Sequence, residues 1–358
     1  MKKKIIICVS LLILFFVIGI LILIIGARPV NKKDNTEVIF TIDRGESKTS
    51  VINRLADKDN NLIRSKFSAY TYIILHGNMS LQSGTYSLNR TMSTGKILKK
   101  FHDGEIVDTR KTATLKFIEG QRLSEYADTI AKFINENNEG SKITKDDVLK
   151  EISDTEYVKG LIKDYWFLTD EVLDPEIYYP LEGYLHPNTY EFYTTATAKD
   201  IVKRMLDATS NRLEEYKDEI TASGHTVHEI LSAAAIIEKE ANSTEDRKKV
   251  SQVIYKRLEK GMSLGMDVTA YYAAKADLKD DYMYAWNNLP SKYNTRNINN
   301  IGLPIGPICN PSISSIKAAL EPSNTNYLYF YADMKTGKVY FAEDYNGFIE
   351  IQRNLGVK

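Results

Sequence analysis

The hydrophobic pattern separates one long apolar run from a body in which apolar and polar positions alternate at short intervals. The run "IIICVSLLILFFVIGILILIIG", from Ile5 to Gly26, carries no charged residue. As a helix rising about 1.5 Å per residue it is about 33 Å long, enough to cross the hydrocarbon core of a bilayer. The lysines Lys2–Lys4 precede it and favour a cytoplasmic N-terminus. The pattern predicts a cytoplasmic tail (1–4), a single transmembrane helix (5–26) and an extracytoplasmic body, with cleavage at Gly26-Ala27 as the alternative.

Two short units of the body share the order strand, glycine turn, capped helix. The first is Val38–Ile42, Gly45 and the N-cap Ser47, and the second is Leu115–Phe117, Gly120 and the N-cap Ser124. Their similarity suggests a duplicated α/β module, although such units also recur by chance in α+β proteins. Three elements are predicted between them: a helix over Lys66–His76, a strand around Tyr86 and a helix begun by Ser93.

Composition shifts predict the remaining boundaries. Residues 27–36 form a polar tether, 37–110 a first module, 111–180 a second strand-helix unit with an acidic insertion, and 181–358 a further domain. The insertion, 139–179, is predicted to be rich in loops, with one helical piece, "KDDVLKEISD". The segment "YYPLEGYLHPNTYEF" is interrupted by proline and glycine, so it is predicted as an irregular loop leading into a strand. The predicted fold class is α+β after an N-terminal transmembrane helix.

A capping box in "TVHE" predicts that a helix starts near Val227. Ser243 is the next candidate N-cap and Gly261 a C-terminal stop, so helices are predicted over 227–241 and 245–260. The first helix ends in "AAAIIEKEANS", where two glutamates follow an apolar run. At about 100° per residue, Glu238 and Glu240 face opposite ways, and Glu240 shares its side with the isoleucines and alanines.

An unpaired carboxylate is costly to bury, so apolar neighbours raise the pKa of a carboxyl group. A raised pKa is what a proton donor needs near neutral pH. Glu240 is therefore the candidate general acid, with Glu238 as the runner-up. A helix-end carboxylate that reaches solvent or Arg247 would produce the same spacing, so the spacing alone leaves both interpretations open.

Charge and cysteine content exclude several classes of protein. Lys plus Arg and Asp plus Glu both number 47, a neutral balance that argues against a nucleic-acid binder. Cys8 lies in the apolar run and Cys309 is the only cysteine of the body, so the body has no intramolecular disulfide and no zinc-type cysteine pair. Five scattered histidines predict no metal site, and no cofactor is expected. The 23 tyrosines suit polar ring-shaped ligands such as sugars, although most are packing residues.

Several ordered blocks resemble the MltG-type (YceG-like) endolytic murein transglycosylases. They are "LEGYLHPNTYEF", "SAAAIIEKEANSTEDRKKVSQVIYKRLEKGM", "KYNTRNINNIGLPIGPICNPSISSIKAAL" and "NYLYFYAD". The earlier stretches "FTIDRGES", "SGTYSL" and "MSTGKILKKF" resemble the small LysM-like module of that family. The resemblance covers residues 37–345. It implies a LysM-like α/β module over 37–110 and a mixed α+β catalytic domain over 181–358.

The resemblance implies an enzyme that cuts peptidoglycan glycan strands internally, close to the membrane. One carboxyl group protonates the leaving oxygen of the MurNAc–GlcNAc β-1,4 bond, and the MurNAc 6-hydroxyl closes onto C1 to leave a 1,6-anhydro end. Because no water attacks, one glutamate suffices, whereas glycoside hydrolases typically use two carboxylates. In other lytic transglycosylases the acid is typically followed by a small residue at a helix end. Glu240-Ala241 fits that pattern better than Glu238-Lys239.

The resemblance also implies substrate-binding positions, namely Glu182, Asp267, Thr269, Tyr293, Asn294 and Thr295. The alternatives are a loop-stabilising acceptor at Glu182 and turn formation by Asn294. Six positions depart from the family pattern and concern subsite preference and catalytic strength: His186 and Asn188, Gly265 and Val268, and Phe348 with Ile349.

Two alternatives to a lytic transglycosylase stay open at this stage. One is a non-catalytic peptidoglycan-binding tether of the envelope. The other is a peptidoglycan hydrolase with Glu182 or Asp267 as the second carboxylate. The implied partners are peptidoglycan strands, the membrane through a single-pass anchor, and peptidoglycan synthases of elongation or division, with no nucleic acid.

Overall fold

The computed structural model describes residues 2–277, 280, 284–333 and 336–356, with the backbone alone for 2–9, 11–13 and 284. The chain divides into two compact units, Met1–Arg110 and Lys111–Lys358. Helix α1 covers Lys2–Ala27. Much of the predicted transmembrane segment, residues 5–9 and 11–13, lies outside the described side chains. Among the residues that are described, no helix combines the length and apolarity needed to cross a membrane.

The first unit continues with two strands and three helices. The elements are β1 (Val38–Ile42), α2 (Lys48–Leu55), α3 (Lys66–Leu75), β2 (Gly84–Leu88) and α4 (Thr94–Asp103). Strands β1 and β2 pair antiparallel, with Phe40 opposite Tyr86. The predicted caps are confirmed, because Ser47 and Ser93 each accept a hydrogen bond from the third residue of the following helix. Phe40, Tyr86 and Phe101 pack together in the core, each 2% exposed or less.

The second unit has four strands and ten α-helices among its described residues. In chain order these are β3 (Thr112–Lys116), α5 (Leu123–Asn137), α6 (Lys145–Ile152), α7 (Thr155–Asp164), β4 (Thr189–Tyr193), α8 (Ala198–Glu214), α9 (Lys217–Ser223), α10 (Val227–Glu240), α11 (Thr244–Glu259), α12 (Asp267–Ala273), α13 (Ile313–Leu320), β5 (Tyr329–Asp333), β6 (Lys338–Ala342) and α14 (Tyr345–Asn354). Short 3₁₀ helices cover Asp170–Leu173 and Tyr284–Asn288. Strand β3 pairs with β4 and β5 with β6, both antiparallel. The predicted α+β class is confirmed.

Two local predictions in this unit were wrong. Ser124 does not cap α5, whose N-cap is Arg122. The Glu125 carboxylate accepts from the Arg122 N–H at 2.8 Å, and Glu182, distant in sequence, accepts from the Leu123 N–H. The insertion 139–179 is mostly helical rather than loop. Its helices α6 and α7 and the 3₁₀ turn contribute fully buried side chains to the core, among them Val148, Ile152, Val158 and Val172.

Helix α10 lies at the centre of the second unit and packs against α11, α12 and α13. Its core residues Ala233–Ile237 are all fully buried. The small alanine side chains allow close approach of neighbouring helices, while the two isoleucines fill the remaining space. A helix with such a deeply buried body holds the side chains of its last turn in fixed positions.

Candidate active site

The two helices that carry the glutamates form where the capping signals predict. Thr226 accepts from the Glu229 N–H, and the Glu229 carboxylate accepts from the Thr226 N–H at 3.0 Å, which completes the capping box. Ser243 caps α11 in the same way through the Asp246 N–H. Between the helices the backbone becomes extended at Ala241 (φ −142°, ψ 140°). Glu240 is therefore the last residue of α10, at a defined change of chain direction.

Glu240 lines a cavity of about 710 Å³ that is formed within the second unit. Its side chain is half-buried. Burial raises the pKa of Glu240 to about 8, with a smaller contribution from the nearby Asp267 carboxylate. No residue that the structure describes hydrogen-bonds to the Glu240 carboxyl group. The group thus lines a sugar-sized space, and its oxygens accept no hydrogen bond from the part of the chain that the structure describes.

Glu238 faces the opposite way and is fully engaged with protein groups. Its Oε2 accepts from the Ser312 N–H at 3.0 Å, the Ser312 hydroxyl at 2.5 Å and the Ser315 hydroxyl at 2.7 Å. Its Oε1 lies 3.2 Å from Arg247 Nη2 in an ion pair whose side chains are 7% and 12% exposed. The carboxylate joins the end of α10 to the first turn of α13, where a negative charge is favourable. These contacts indicate a structural role.

Glu182 lies in the interior, 1% exposed, and does not line the cavity. Its Oε1 accepts from the Leu123 N–H at 2.8 Å and its Oε2 from the Tyr272 hydroxyl at 3.0 Å. Burial raises the pKa of Glu182 to about 8, although these hydrogen bonds oppose the shift. The geometry corresponds to the loop-stabilising acceptor, the alternative that the sequence left open, and disagrees with direct substrate contact.

The other predicted substrate-binding residues divide into one that lines the cavity and four that are buried away from its wall. Asp267 lines the cavity, whereas Thr269, Tyr293, Asn294 and Thr295 are at most 1% exposed and absent from its wall. Direct contact between these four and a substrate is therefore not favoured by the geometry. Asn294 instead binds the backbone carbonyls of residues 286, 287 and 289 through its amide nitrogen. Turn formation, the alternative interpretation for Asn294, agrees with these contacts.

Thr269 and Thr295 connect two segments that border the cavity, Gly265–Asp267 and Thr295–Arg296. Their hydroxyls lie 2.8 Å apart, the Met266 N–H donates to Thr295 Oγ1 at 3.1 Å, and the Gly265 N–H donates to the Thr295 carbonyl at 2.9 Å. The Thr269 hydroxyl lies 2.7 Å from the Met266 carbonyl. This buried set of hydrogen bonds, which we call the threonine clamp, fixes Gly265–Asp267 against Thr295–Arg296.

Several cavity residues were not singled out from the sequence. Arg296 pairs with Asp267, and Arg257 binds the carbonyls of Leu264 and Leu328 while lying 4.9 Å from the centre of the Tyr329 ring. Aromatic side chains of β5 and α14 complete the wall: Tyr329, Phe330, Tyr331 and Phe348. The available signal was the quoted block "NYLYFYAD", whose aromatic residues recur in a short strand, and the arginine directly after "YNT". Among the described residues, no group of three or more His, Cys, Asp or Glu is placed to hold a metal ion.

A model of the YceG-like family matches residues 40–354, which is most of the chain. The chain belongs to the YceG-like family. The resemblance inferred from the quoted blocks is confirmed.

Individual members of the family agree with this assignment. The chain is 35% identical over 318 residues to a protein of Bacillus subtilis (strain 168) named endolytic murein transglycosylase, covering 88% of this chain and 84% of that protein. It is 32% identical over 273 residues to a protein of the same name from Streptococcus pneumoniae (serotype 2, strain D39), covering 74% of this chain and 49% of that protein. The chain thus spans about half the length of the streptococcal relative. The crystal structure of the YceG-like protein lmo1499 from Listeria monocytogenes superposes with a TM-score of 0.62 at 36% identity, covering 88% of this chain and 99% of that one.

The positions that depart from the YceG-like pattern fall in different places. Gly265, Val268 and Phe348 line the cavity, so these departures alter its wall. His186 and Asn188 are not part of that wall. The His186 N–H donates to the Thr209 hydroxyl, and burial lowers the pKa of the His186 ring. The departures with consequences for substrate contact are therefore the three in the cavity.

Proposed function

We propose that this chain is a membrane-anchored lytic transglycosylase that cleaves the MurNAc–GlcNAc β-1,4 bond of nascent peptidoglycan and leaves 1,6-anhydro-MurNAc ends. The enzyme class follows from membership of the YceG-like family and from relatives that are named endolytic murein transglycosylase. The bond that is cut, the anhydro product and the role of Glu240 are proposed from the site.

One observation carries the proposal. Glu240 is half-buried in the wall of a sugar-sized cavity, and its carboxyl group accepts no hydrogen bond from the described residues. With a pKa of about 8, most of the group is protonated at neutral pH, as a general acid requires. The other two candidate glutamates have their oxygens occupied by buried donors. Glu240 is thus the carboxyl group best suited to exchange a proton with a bound glycan.

The proposed reaction conserves atoms without water. The Glu240 carboxyl proton moves to the glycosidic oxygen as the C1–O bond breaks, and the GlcNAc hydroxyl leaves. Positive charge develops on C1 and the ring oxygen of MurNAc. The MurNAc 6-hydroxyl oxygen then bonds to C1, and its proton passes to the Glu240 carboxylate. The acid is regenerated, so one carboxyl group acts first as acid and then as base.

A hydrolase is the second candidate, because Asp267 shares the cavity with Glu240. Glycoside hydrolases usually use two carboxyl groups that flank the bond to be cut. The version of this alternative that uses Glu182 is not favoured, since Glu182 lies in the interior. A hydrolase would leave reducing MurNAc ends, which differ in mass from anhydro ends by one water.

The experiment compares the full-length wild-type chain with Glu240→Gln and Glu238→Gln on uncrosslinked glycan strands, with fragments analysed by mass spectrometry. We expect anhydro-ended fragments from the wild type, and a loss of about 10²- to 10⁴-fold in Glu240→Gln, the range for removal of a general acid. Glu238→Gln keeps the product chemistry in whatever fraction folds. Full activity in Glu240→Gln would contradict the assignment, reducing ends would select the hydrolase, and binding without any shorter products would select the tether.

For location, we propose that residues 5–26 anchor the chain, with the N-terminus in the cytoplasm and the body that follows the anchor outside it. The uncharged run and the preceding lysines support this orientation. Protease added to intact spheroplasts should then digest the body and spare an N-terminal tag. Peptidoglycan synthases of elongation or division are proposed partners on the family resemblance, and co-purification after crosslinking would test them.

A further inference from the structure

An ion pair shares the cavity with Glu240. Arg296 Nη1 lies 3.2 Å from Asp267 Oδ1, and both side chains are accessible from the cavity, at 37% and 59% exposure. Although the Asp267 side chain is exposed, the surrounding protein raises the pKa of its carboxyl group and the Arg296 charge opposes that shift. The Asp267 carboxylate, held by Arg296, is thus a negative charge near the proposed acid.

The pair is held in place by contacts outside itself. Arg296 Nη1 also donates to the Gly265 carbonyl at 3.3 Å, and Arg296 Nε donates to Asn287 Oδ1 at 3.3 Å. The threonine clamp fixes the backbone of both partners from the buried side. The geometry is thus defined before a substrate arrives, which is the condition under which a charge stabilises a transition state efficiently.

Building on the function proposed above, we propose that Asp267 is a second catalytic residue, whose carboxylate stabilises the positive charge that develops on the MurNAc ring, and that Arg296 is its positioning residue. In a lytic transglycosylase the intramolecular attack removes the need for a second carboxylate as base or nucleophile. The oxocarbenium-like charge still requires stabilisation. A carboxylate paired with arginine is well suited to this task, because the pairing keeps it ionised and directs it.

The same arrangement couples the pair to the acid. Among the described residues, Asp267 is the charged group that adds to the raised pKa of Glu240, after burial. The other ionisable groups around the cavity are Lys239, Arg257, Tyr271, Tyr329, Tyr331 and Asp333. Removing the negative charge of Asp267 should therefore lower the pKa of Glu240. Removing the positive charge of Arg296 should raise it, because Asp267 then acts unopposed. A role confined to folding predicts no such opposite shifts.

The test measures kcat, KM and their pH dependence for the full-length chain and for Asp267→Asn, Arg296→Gln and Arg296→Lys. Asp267→Asn should lower kcat about 10²-fold, the effect of one preorganised charge, with KM changed less than about threefold, and should move the alkaline limb to lower pH. Arg296→Gln should lower kcat about tenfold and move the limb to higher pH, and Arg296→Lys should restore part of both effects. Glu321→Gln, which removes the ion pair with Lys248 (2.8 Å) elsewhere in the unit, is the matched control and should change neither.

An alkaline limb that stays in place in Asp267→Asn overturns the proposal, whether or not kcat falls, and so does a shift in the same direction in both charge variants. A second measurement separates this outcome from failure of the proposed function. The pKa of Glu240 is followed by ¹³C NMR of labelled glutamate carboxyl groups, assigned by difference from Glu240→Gln. If the wild type releases no anhydro ends, the proposed function fails. The NMR titrations still test whether Asp267 raises the pKa of Glu240. An equal pKa of Glu240 in the wild type and in Asp267→Asn would overturn that coupling.

Discussion

The two faces of the last turn of α10 each carry a glutamate, and the two carboxyl groups differ in how many hydrogen bonds they accept. On the interior face Glu238 accepts hydrogen bonds from Arg247, Ser312 and Ser315. On the cavity face Glu240 accepts none from the described residues and its pKa rises to about 8. A carboxylate that accepts hydrogen bonds from several fixed donors joins helices, whereas a partly buried one without such donors keeps a proton that it can transfer. Position relative to the donors, rather than residue type, distinguishes structure from chemistry here.

The largest effect on stability is expected at the interior face. Glu238→Ala leaves the Arg247 guanidinium and the Ser312 N–H without their carboxylate, and breaking a buried pair costs about 3–5 kcal/mol. Both tryptophans, Trp166 and Trp286, lie in the second unit, so their fluorescence during urea denaturation reports its unfolding. Glu245→Ala removes an exposed partner of Lys249 and should leave the transition in place. Equal transitions for the two variants would contradict the contrast between the faces.

At the cavity face, Glu240→Gln should stabilise the fold in a pH-dependent way. A carboxyl group with a higher pKa in the folded chain binds protons more tightly there, so the free energy of unfolding falls as pH rises from about 4.5 towards about 8. Glu240→Gln lacks this term and should gain roughly 2–3 kcal/mol over the wild type across that window, after discounting for partial solvation. Glu182 titrates in the same range in both proteins, so its contribution cancels in the difference. If the difference in free energy of unfolding between Glu240→Gln and the wild type were the same at pH 5 and pH 8.5, the raised pKa of Glu240 would be contradicted.

The support behind the cavity face should matter less for stability than the interior pair. Thr295→Val preserves shape but removes the hydroxyl that accepts from the Met266 N–H and contacts Thr269. Leaving a buried donor unpaired costs about 1–2 kcal/mol. We expect kcat to fall as the Asp267 segment loosens, while KM changes little. Ser251→Ala, which removes a buried hydroxyl that has no partner among the described residues, is the matched control and should cost less in both measurements.

Local signals in the sequence predicted the frame of this comparison. The capping box at Thr226 and the cap at Ser243 placed α10 and α11 to within about two residues, and the helical period alone placed Glu238 and Glu240 on opposite faces. Such features depend on neighbours within one or two turns. The contacts that define each face could not be predicted in that way.

Partners distant in sequence explain what the sequence reasoning missed. Glu182 caps a helix 59 positions away, and Arg296 reaches Asp267 across another loop. Residues that the family resemblance marked as substrate-binding, such as Asn294 and Thr295, are buried and do not line the cavity. A motif records that a residue matters near a site, and only the packing shows whether its side chain reaches the substrate or the backbone that holds the site.

The smallest expected effect concerns the aromatic part of the cavity wall, which β5 and α14 contribute. Phe348 lies with its ring centre 5.6 Å from that of Tyr329, which Arg257 contacts in turn. Such a preformed surface suits the apolar face of a sugar ring. Phe348→Ala should therefore raise KM about three- to tenfold, or about 0.7–1.4 kcal/mol, with kcat nearly unchanged. Phe348→Tyr, which keeps the ring, should leave KM close to the wild-type value. A fall in kcat without a change in KM would instead place this ring with the reacting groups, and the division of the cavity into a chemical side and a binding side would be lost.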